Sequence, residues 1–269
     1  MRIARKSVKW LLVLGMVAVS FIAIPTEAKK QETGFLDRTI TVAGTAYKYQ
    51  VFVPDDWTKQ KKWPVILFLH GAGERGDDGL IQTEVGVGTA IRRYRDRFPA
   101  VVVMPQCRKN VWWSEPTMAD MVMAVLAAAQ KEFHGDSART YLTGLSMGGY
   151  GTWYLAGKYP GKFAAIAPIC GGILVPDMAR QQSADDNSPY TQATKKIGKT
   201  PVWIFHGGDD PVVPVTESRR MDEAMKALGG EVHYTEYPGV GHNSWEKAYA
   251  EPDFISWMLS KTASAIPSK

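Results

Sequence analysis

The residues Tyr141-Leu142-Thr143-Gly144-Leu145-Ser146-Met147-Gly148-Gly149-Tyr150-Gly151 lie between an apolar run that predicts a strand and a longer stretch that predicts a helix. They contain the pentapeptide Gly-x-Ser-x-Gly in the strand–turn–helix context that this motif needs. Gly144 and Gly148 leave room for a tight turn, which would push the Ser146 hydroxyl outward. We predict that Ser146 is a nucleophile and that the Met147 amide, at the positive end of the helix, donates to an oxyanion. An incidental glycine-rich turn is the competing interpretation.

Outward from this stretch, short apolar runs alternate with longer helix-like stretches after residue 60. This alternation is typical of a mostly parallel sheet with crossover helices, so we predict an α/β fold with helices on both faces. The predicted strands are 65–69, 100–104, 140–142, 164–169, 202–205 and 232–237, and the predicted helices are 118–133, 147–158 and 215–228. Upstream, 38–42 and 47–53 flank Gly44 and predict an antiparallel hairpin at the edge of the sheet.

A serine hydroxyl needs a neighbouring base, so a downstream histidine is required. Of the five histidines, His242 lies in a glycine-rich loop after the last predicted strand, and we predict that it is the base. A solvated loop histidine is the alternative. The others are predicted to be structural or to brace loops: His70, His134, His206 and His233.

The third group must orient the imidazole and stabilise its charged form. The sequence His206-Gly207-Gly208-Asp209-Asp210-Pro211 supplies two carboxylates after one predicted strand. We choose Asp210, because it stands directly before Pro-Val-Val-Pro in a His-Gly-x-x-Asp pattern, and Asp209 remains the alternative.

A second oxyanion donor is expected from His70-Gly71-Ala72-Gly73, the loop after the first predicted parallel strand, with Ala72 favoured and Gly73 as the alternative. Residues 71–76 also fit a dinucleotide fingerprint, but Asp77-Asp78-Gly79 does not open an apolar helix, which argues against it. We expect Glu74, Arg75 and Asp77 to brace this loop by ion pairing.

The first 28 residues predict a signal peptide. A basic start is followed by an apolar run at 10–24 and a small-residue exit at Thr26-Glu27-Ala28. The 15-residue run is shorter than the roughly 20 residues needed to cross a bilayer, so an uncleaved anchor is the weaker alternative. We therefore expect one catalytic domain over 29–269, secreted or periplasmic, with no stable membrane anchor after cleavage.

The formal net charge of +5 depends largely on this leader, which holds four basic residues and one acidic residue. Its removal leaves +2 and no basic stripe, which argues against a nucleic-acid partner. No His-Glu-x-x-His and no clustered ligands appear, so we expect no metal and no cofactor. Cys107 and Cys170 both follow apolar runs, and whether they form a disulfide stays open. The polar segment 171–200 predicts an excursion over the sheet edge with little or no cap.

With these residues laid out, the chain resembles the secreted esterases often labelled predicted peptidases, within the wider esterase, feruloyl esterase and polyhydroxybutyrate-depolymerase group of α/β-hydrolases. The resemblance covers about residues 45–260. It is carried by 69–76, 105–107, Trp112-Trp113, 144–149, 168–172 and 242–249. It implies a single-domain α/β-hydrolase fold and hydrolysis of short-chain esters, with some members linked to acetylated or feruloylated polysaccharide.

Three loop tryptophans lie at the predicted catalytic edge, where flat rings could line a substrate wall: Trp112, Trp113 and Trp245. Ordinary loop packing is the alternative. The expected partner is a small-molecule or polymer-linked ester. The alternative functions are a serine peptidase or amidase of the prolyl-oligopeptidase type and a lipase or phospholipase, although no broad apolar lid is apparent.

Overall fold

The central strands are apolar on both faces because helices cover the sheet from both sides. In the computed structural model, which describes residues 32–181, 183 and 186–263, Val65, Leu67 and Leu69 join one hydrophobic cluster. Ile66 and Phe68 join the other. Successive side chains of a strand point to opposite faces, so one continuous apolar run supplies both cores.

The sheet has eight strands: β1 (Gly34–Val42), β2 (Thr45–Val53), β3 (Trp63–Leu69), β4 (Val101–Pro105), β5 (Gly135–Leu145), β6 (Ala165–Ile169), β7 (Val202–Gly207) and β8 (Val232–Tyr237). Their spatial order is β1-β2-β4-β3-β5-β6-β7-β8. β2 pairs antiparallel with both β1 and β4, and every pairing from β4 to β8 is parallel. The carboxyl ends of the parallel strands therefore meet at one edge, where ligands bind in this class of sheet.

The helices are α1 (Val87–Arg93), α2 (Pro116–Glu132), α3 (Met147–Lys158), α4 (Pro176–Gln181), α5 (Ser188–Ile197), α6 (Thr216–Ala227), α7 (Trp245–Ala248) and α8 (Phe254–Leu259). Side chains of α2, α3, α5 and α6 pack into the first cluster. Side chains of α1, α7 and α8 pack into the second. The predicted α/β fold with helices on both faces is confirmed.

The predicted N-terminal hairpin is also confirmed, with longer strands than the pattern indicated. Ala43 and Gly44 form its two-residue turn, and both have positive φ, at 48° and 78°. A two-residue turn with positive φ at both positions has a twist that matches the twist of the paired strands.

The segment 171–200 is the crossover from β6 to β7, and the expected excursion over the sheet edge is wrong for its second half. There α5 packs between α3 and α6, burying Tyr190, Thr194 and Ile197. Only one stripe of this helix is buried, so most of its residues are polar. The composition of the segment therefore did not indicate that a helix packs here. The described part of the segment forms no separate cap domain.

The described residues form one compact unit. The predicted signal peptide, 1–28, lies outside them. Within that described part, no helix has the length and the apolar run needed to cross a membrane.

Candidate active site

Ser146 is the single residue between β5 and α3. Its φ of 52° and ψ of −118° lie in a sparsely populated region, which costs a non-glycine residue of order 1–3 kcal/mol. Its amide donates to the Ile169 carbonyl at 2.9 Å, which ties the junction to β6. Strand and helix together therefore hold a strained turn that presents the hydroxyl at the carboxyl edge of the sheet.

The two glycines of the motif let backbone segments approach more closely than a side chain permits. A Cβ built on Gly148 would lie 1.9 Å from the Leu69 carbonyl oxygen, and one on Gly144 would lie 2.4 Å from the Gly148 carbonyl oxygen. Both neighbours are backbone atoms, so no side-chain rotation relieves either contact. The start of α3 therefore packs directly against the end of β3.

Gly148→Ala is expected to lower the free energy of unfolding by about 2 to 3 kcal/mol, because the new methyl group overpacks a rigid backbone contact. Urea unfolding followed by tryptophan fluorescence measures this. Gly157→Ala, on the same helix, is the matched control, since its Cβ would meet only Lys196 Cβ at 3.4 Å. It is expected to be neutral or stabilising. A Gly148→Ala protein as stable as the wild type would contradict the packing argument.

His242 follows β8 and contacts both of its predicted partners. Its Nε2 lies 2.9 Å from Ser146 Oγ, and its Nδ1 lies 2.7 Å from Asp210 Oδ2. Because Nδ1 faces a carboxylate, it carries the ring proton, and Nε2 is left to accept the Ser146 hydroxyl hydrogen. The structure thus brings together three side chains that are far apart in sequence, in the geometry of a nucleophile, a base and an orienting acid.

The Asp210 side chain is completely buried, and both of its carboxylate oxygens have hydrogen-bond partners. Oδ1 accepts the amides of Val212 at 2.8 Å and Val213 at 3.0 Å, while Oδ2 faces His242 and, at 3.2 Å, His206 Nε2. Burial raises the pKa of Asp210, but hydrogen bonds from His206, His242 and the Val213 amide outweigh burial and hold this pKa well below its usual range. The carboxylate is therefore ionised at neutral pH.

The structure places Asp210, and not Asp209, against His242. Asp209 is exposed, and its amide donates to the Val240 carbonyl at 3.0 Å. The two neighbouring carboxylates therefore differ in burial, and that of Asp210 is the one that contacts His242.

His206 is a second imidazole at the buried carboxylate, a contact that sequence reasoning missed. Its Nε2 faces two acceptors, Asp210 and the Val213 carbonyl at 3.1 Å, so Nε2 carries a proton. Its Nδ1 lies 2.7 Å from Ser218 Oγ. The sequence spacing could have indicated this contact. His206 lies at the end of β7, and Asp210 lies four residues later on the loop that follows this strand.

The loop after β3 lies beside Ser146, as the predicted oxyanion site requires. A Cβ built on Gly71 would be 3.8 Å from Ser146 Cβ. Ala72 begins a short 3₁₀ turn, Ala72–Glu74. Met147 begins α3, so its amide has no acceptor within the helix. Met147 follows Ser146 directly and Ala72 follows Gly71, so each predicted donor begins a helical turn; their role in an oxyanion site stays a prediction.

His70 holds this loop against the end of β4. It is fully buried; its Nδ1 lies 2.6 Å from the Gly71 carbonyl, and its Nε2 accepts the Cys107 amide at 2.9 Å. Because Nε2 is an acceptor, the ring is the neutral tautomer with its proton on Nδ1. Burial lowers the pKa of His70 to about 4, so the ring stays neutral at neutral pH.

The protein is expected to lose about 3 kcal/mol of stability between pH 7 and pH 4 through His70 alone. Below pH 6.5 the unfolded chain binds a proton that the folded protein, with its lower His70 pKa, does not bind until about pH 4. Urea unfolding at the two pH values tests this. In His70→Asn the pH-dependent loss should shrink by about that amount, and His134→Asn, at an exposed histidine, is the control. An undiminished loss in His70→Asn would contradict the assignment.

The expected ion-pair brace of Glu74, Arg75 and Asp77 is wrong. Arg75 instead donates to two carbonyls, of Ala72 at 3.0 Å and of Val111 at 3.4 Å. Among the described residues, no lysine or arginine lies within 4.0 Å of the Glu74 or Asp77 carboxylate. Backbone carbonyls at the turn satisfy the guanidinium, so the loop is held by hydrogen bonds to the main chain.

Trp113 is not part of a substrate wall, and this prediction is wrong. The residue has no exposed surface. Its indole N–H donates to the His70 carbonyl at 3.0 Å, and its Cβ lies where Gly151 leaves room for it. Trp113 is therefore an internal support for the loop after β3.

Trp112 and Trp245 are partly exposed. The Trp245 ring meets the His242 ring edge-on, with centroids 5.5 Å apart. The Trp112 ring meets Tyr150 edge-on at 5.8 Å and lines a cavity of about 860 Å³ beside α3. Both rings keep exposed surface, and their contact with a substrate stays a prediction.

Both cysteines are buried free thiols, so no Cys107–Cys170 disulfide is present. The Cys170 sulfur and ligand atoms of Asp210 and His242 lie within 4.8 Å of one another, a grouping that resembles a metal site. However, burial raises the pKa of Cys170 to about 12, so the thiol is protonated at neutral pH and is a poor metal ligand. The Asp210 and His242 atoms are already hydrogen-bonded, so this donor set fits an acid–base pair better than a metal ion.

Comparisons with known proteins place the chain in a family. The profile described as Phospholipase/Carboxylesterase matches residues 114–256. An acyl-protein thioesterase 1 from Gibberella zeae is 32% identical over 212 residues, covering 66% of this chain and 83% of that protein. An uncharacterized secreted protein from Arthroderma benhamiae is 27% identical over 220 residues, covering 73% of this chain but only 23% of that protein.

Among solved structures, that of a thermostable esterase superposes with a TM-score of 0.73 at 35% identity, covering 85% of this chain and 63% of that one. The chain thus spans part of the length of some relatives and most of the length of others. The profile matches the chain, and so does a relative that the chain covers over most of its length. The chain therefore belongs to the phospholipase/carboxylesterase family of α/β-hydrolases.

Proposed function

We propose that this protein is a serine carboxylesterase that hydrolyses short-chain or aryl carboxylic esters through an acyl-enzyme on Ser146. The observation that carries the proposal is the hydrogen-bonded line from Ser146 Oγ through His242 to the buried Asp210, with distances of 2.9 and 2.7 Å. Membership of an esterase family supports the same reaction.

In the acylation half, Ser146 Oγ attacks the ester carbonyl carbon while its proton passes to His242 Nε2. The carbonyl oxygen becomes an oxyanion between the Met147 and Ala72 amides. The tetrahedral intermediate then collapses, the bond to the alcohol oxygen breaks, and the proton on Nε2 goes to the departing alcohol. Asp210 stabilises the imidazolium that exists between these two proton transfers.

In the deacylation half, a water molecule loses its proton to His242 Nε2 and attacks the acyl carbon. Collapse of the second intermediate returns that proton to Ser146 Oγ and releases the carboxylic acid. Every proton is thus carried by one imidazole, which Asp210 keeps in a single tautomer. These steps use only groups of the chain and water.

The experiment that tests the nucleophile is covalent labelling of residues 29–269 with a fluorophosphonate. Trypsin should release residues 140–158, and Ser146 is the only serine in that peptide. We expect one equivalent of label in this peptide, together with loss of p-nitrophenyl acetate hydrolysis. Label elsewhere, or activity that survives full labelling, would contradict the assignment.

Relative activity on ester, amide and lipid-like substrates distinguishes an esterase from a peptidase and from a lipase. The p-nitrophenyl esters of acetate, butyrate and octanoate, methyl ferulate, and a matching p-nitroanilide should be compared. We expect the short or aryl esters to be hydrolysed fastest and the anilide poorly. A rate that jumps when octanoate ester forms micelles would favour a lipase, and anilide turnover equal to ester turnover would favour a peptidase.

We further propose export of the protein to the periplasm or the medium. The basic and apolar pattern of residues 1–28 supports this, as does the similarity to a protein described as secreted. N-terminal sequencing of the exported protein should give a start close to residue 29, and retention of residues 1–28 in the mature protein would contradict the proposal.

A further inference from the structure

The Oδ2 atom of Asp210 lies between two imidazole rings, each of which contacts a serine. On one side, His242 links this oxygen to Ser146, the proposed nucleophile. On the other side, His206 Nε2 lies 3.2 Å from the same oxygen, and His206 Nδ1 lies 2.7 Å from Ser218 Oγ. One carboxylate oxygen therefore joins two serine–histidine pairs, and the proposed mechanism uses only one of them.

The second pair, His206 and Ser218, is closed to substrate. His206 has no exposed surface, and Ser218 of α6 is 1% exposed. By contrast, the His242 side chain is 20% exposed. Ser218 therefore cannot attack an ester, and any effect of the second pair on the reaction passes through Asp210.

The partners of the second pair determine where its protons lie. Nε2 of His206 faces two acceptors, Asp210 Oδ2 and the Val213 carbonyl oxygen at 3.1 Å, so it carries the ring proton. The neutral ring then accepts at Nδ1, where the Ser218 hydroxyl donates to it. Hydrogen bonds in a chain polarise one another, so this donation strengthens the bond from Nε2 to Asp210.

His206 also holds the loop that carries the acid. From the end of β7 it contacts Asp210 and, three residues further along the loop, the Val213 carbonyl. The other carboxylate oxygen, Oδ1, accepts two loop amides. Contacts on both oxygens restrain rotation of the carboxylate and keep Oδ2 directed at His242. Burial raises the pKa of Asp210, and among the hydrogen bonds that lower this pKa the one from His206 has the largest effect.

Other titratable groups lie close to this carboxylate or to the second pair. Glu236 of β8 is paired in register with His206, but its carboxylate accepts two guanidinium N–H groups from Arg219, at 2.8 and 2.6 Å. Burial raises the pKa of Cys170 to about 12 and also raises the pKa of Tyr150, so both are uncharged at neutral pH. The charge of the buried carboxylate is therefore balanced mainly by the two imidazole rings and the loop amides.

We propose that His206 and Ser218 are positioning residues for the reaction, which direct Asp210 Oδ2 toward His242 and withdraw part of its negative charge. The proposal rests on the proposed esterase function and adds two buried residues to its machinery. Without the donor from His206, more of the negative charge would act on the His242 imidazolium and favour it. The base would then be protonated up to a higher pH, so the acid limb of the activity profile should move to higher pH.

Two amide variants of the same residue test this effect. His206→Gln keeps an N–H group close to the Nε2 position, whereas the shorter His206→Asn reaches only the Nδ1 position, toward Ser218. We expect His206→Asn to move the acid limb of kcat/KM for p-nitrophenyl acetate up by about one pH unit. Its kcat should fall by roughly tenfold through looser positioning, with KM within about twofold, because the buried pair cannot touch substrate. His206→Gln should restore most of both losses.

Thr194→Val is the matched control, because it removes a buried hydroxyl that donates to the Tyr190 carbonyl on α5, outside the second pair. Its acid limb should coincide with that of the wild type. A residue that only supports the fold would lower activity equally at every pH. An acid limb that stays in place in His206→Asn would therefore overturn the proposal.

NMR of the imidazole protons in histidine-labelled protein judges the pair without any ester. We expect low-field signals from His242 Nδ1–H and His206 Nε2–H in the wild type. In His206→Asn the His242 signal should move to lower field, because one competing donor has left Asp210 Oδ2. In Ser218→Ala, which removes only a hydroxyl group, the His206 signal should move to higher field, because its hydrogen bond weakens.

These signals keep the two proposals separate. If the wild type hydrolyses no ester, the proposed function fails, and the signals still show whether the second pair acts on the Asp210–His242 contact. If His206→Asn does not fold, the Ser218→Ala signal decides. An unmoved His242 signal in folded His206→Asn, or an unmoved His206 signal in Ser218→Ala, would overturn the positioning role.

Discussion

Replacement of Ser146 by alanine is expected to lower kcat for p-nitrophenyl acetate by about a million-fold, the size of loss seen when a catalytic triad loses its nucleophile. The physical reason is that the methyl group cannot form the acyl bond. His242 and the oxyanion donors can then only assist direct attack by water. Stopped and continuous assays of the purified variant measure the residual rate.

The fold of this variant should be intact. Alanine adopts the same backbone angles as serine, and the Ser146 amide bond to Ile169 does not involve the side chain. Circular dichroism and thermal unfolding should therefore match the wild type. Ser137→Ala, at an exposed position near the opposite end of β5, is the matched control and should retain full activity. Substantial turnover by Ser146→Ala would mean that another group is the nucleophile.

Asp210→Asn is expected to lower kcat by about 10⁴-fold. The carboxylate accepts on both oxygens, whereas an amide offers one oxygen. If that oxygen keeps the Val212 and Val213 amides, the NH₂ group faces His242 Nδ1 and donates to it. The imidazole proton is then held on Nε2, which can no longer accept the proton of Ser146. Kinetics at saturating substrate, with NMR of the imidazole N–H, measure both effects.

Asp209→Asn is the control for this change, because it makes the same substitution one residue away on an exposed side chain. Its kcat should stay within about twofold of the wild type, because Asp210 Oδ2 still faces His242 Nδ1 and substitutions of exposed side chains rarely disturb the fold. A large loss in Asp209→Asn with normal activity in Asp210→Asn would reverse the assignment of the acid.

Much of the fold was predictable because its signals are local. The apolar run of β3 and the helix that starts at Met147 are periodic patterns, which depend only on neighbouring residues. The helix α5 was not predicted, because its buried residues Tyr190, Thr194 and Ile197 are separated by polar residues and form only one narrow stripe. The short helix α8 lacked enough turns to show a period.

The convergence of Ser146 and His242 with one of the two carboxylates at 209–210 was also predictable, because each follows a strand in a motif with its own backbone requirement. Trp113 was misassigned because a loop tryptophan at the catalytic edge has the same sequence signature whether it is exposed or buried. The brace of Glu74 and Arg75 was misassigned because opposite charges three or fewer residues apart need not meet on an irregular loop.

By itself the sequence determined the α/β class and the position of the strained serine turn. Both follow from local constraints: strand and helix periodicity, and glycines where no Cβ fits. Only the tertiary structure decided which of two adjacent carboxylates meets His242, and that His206 shares the same oxygen. It also decided that Trp112 faces a cavity while Trp113 supports a loop. These choices depend on where separate strands end relative to one another, which no local pattern contains.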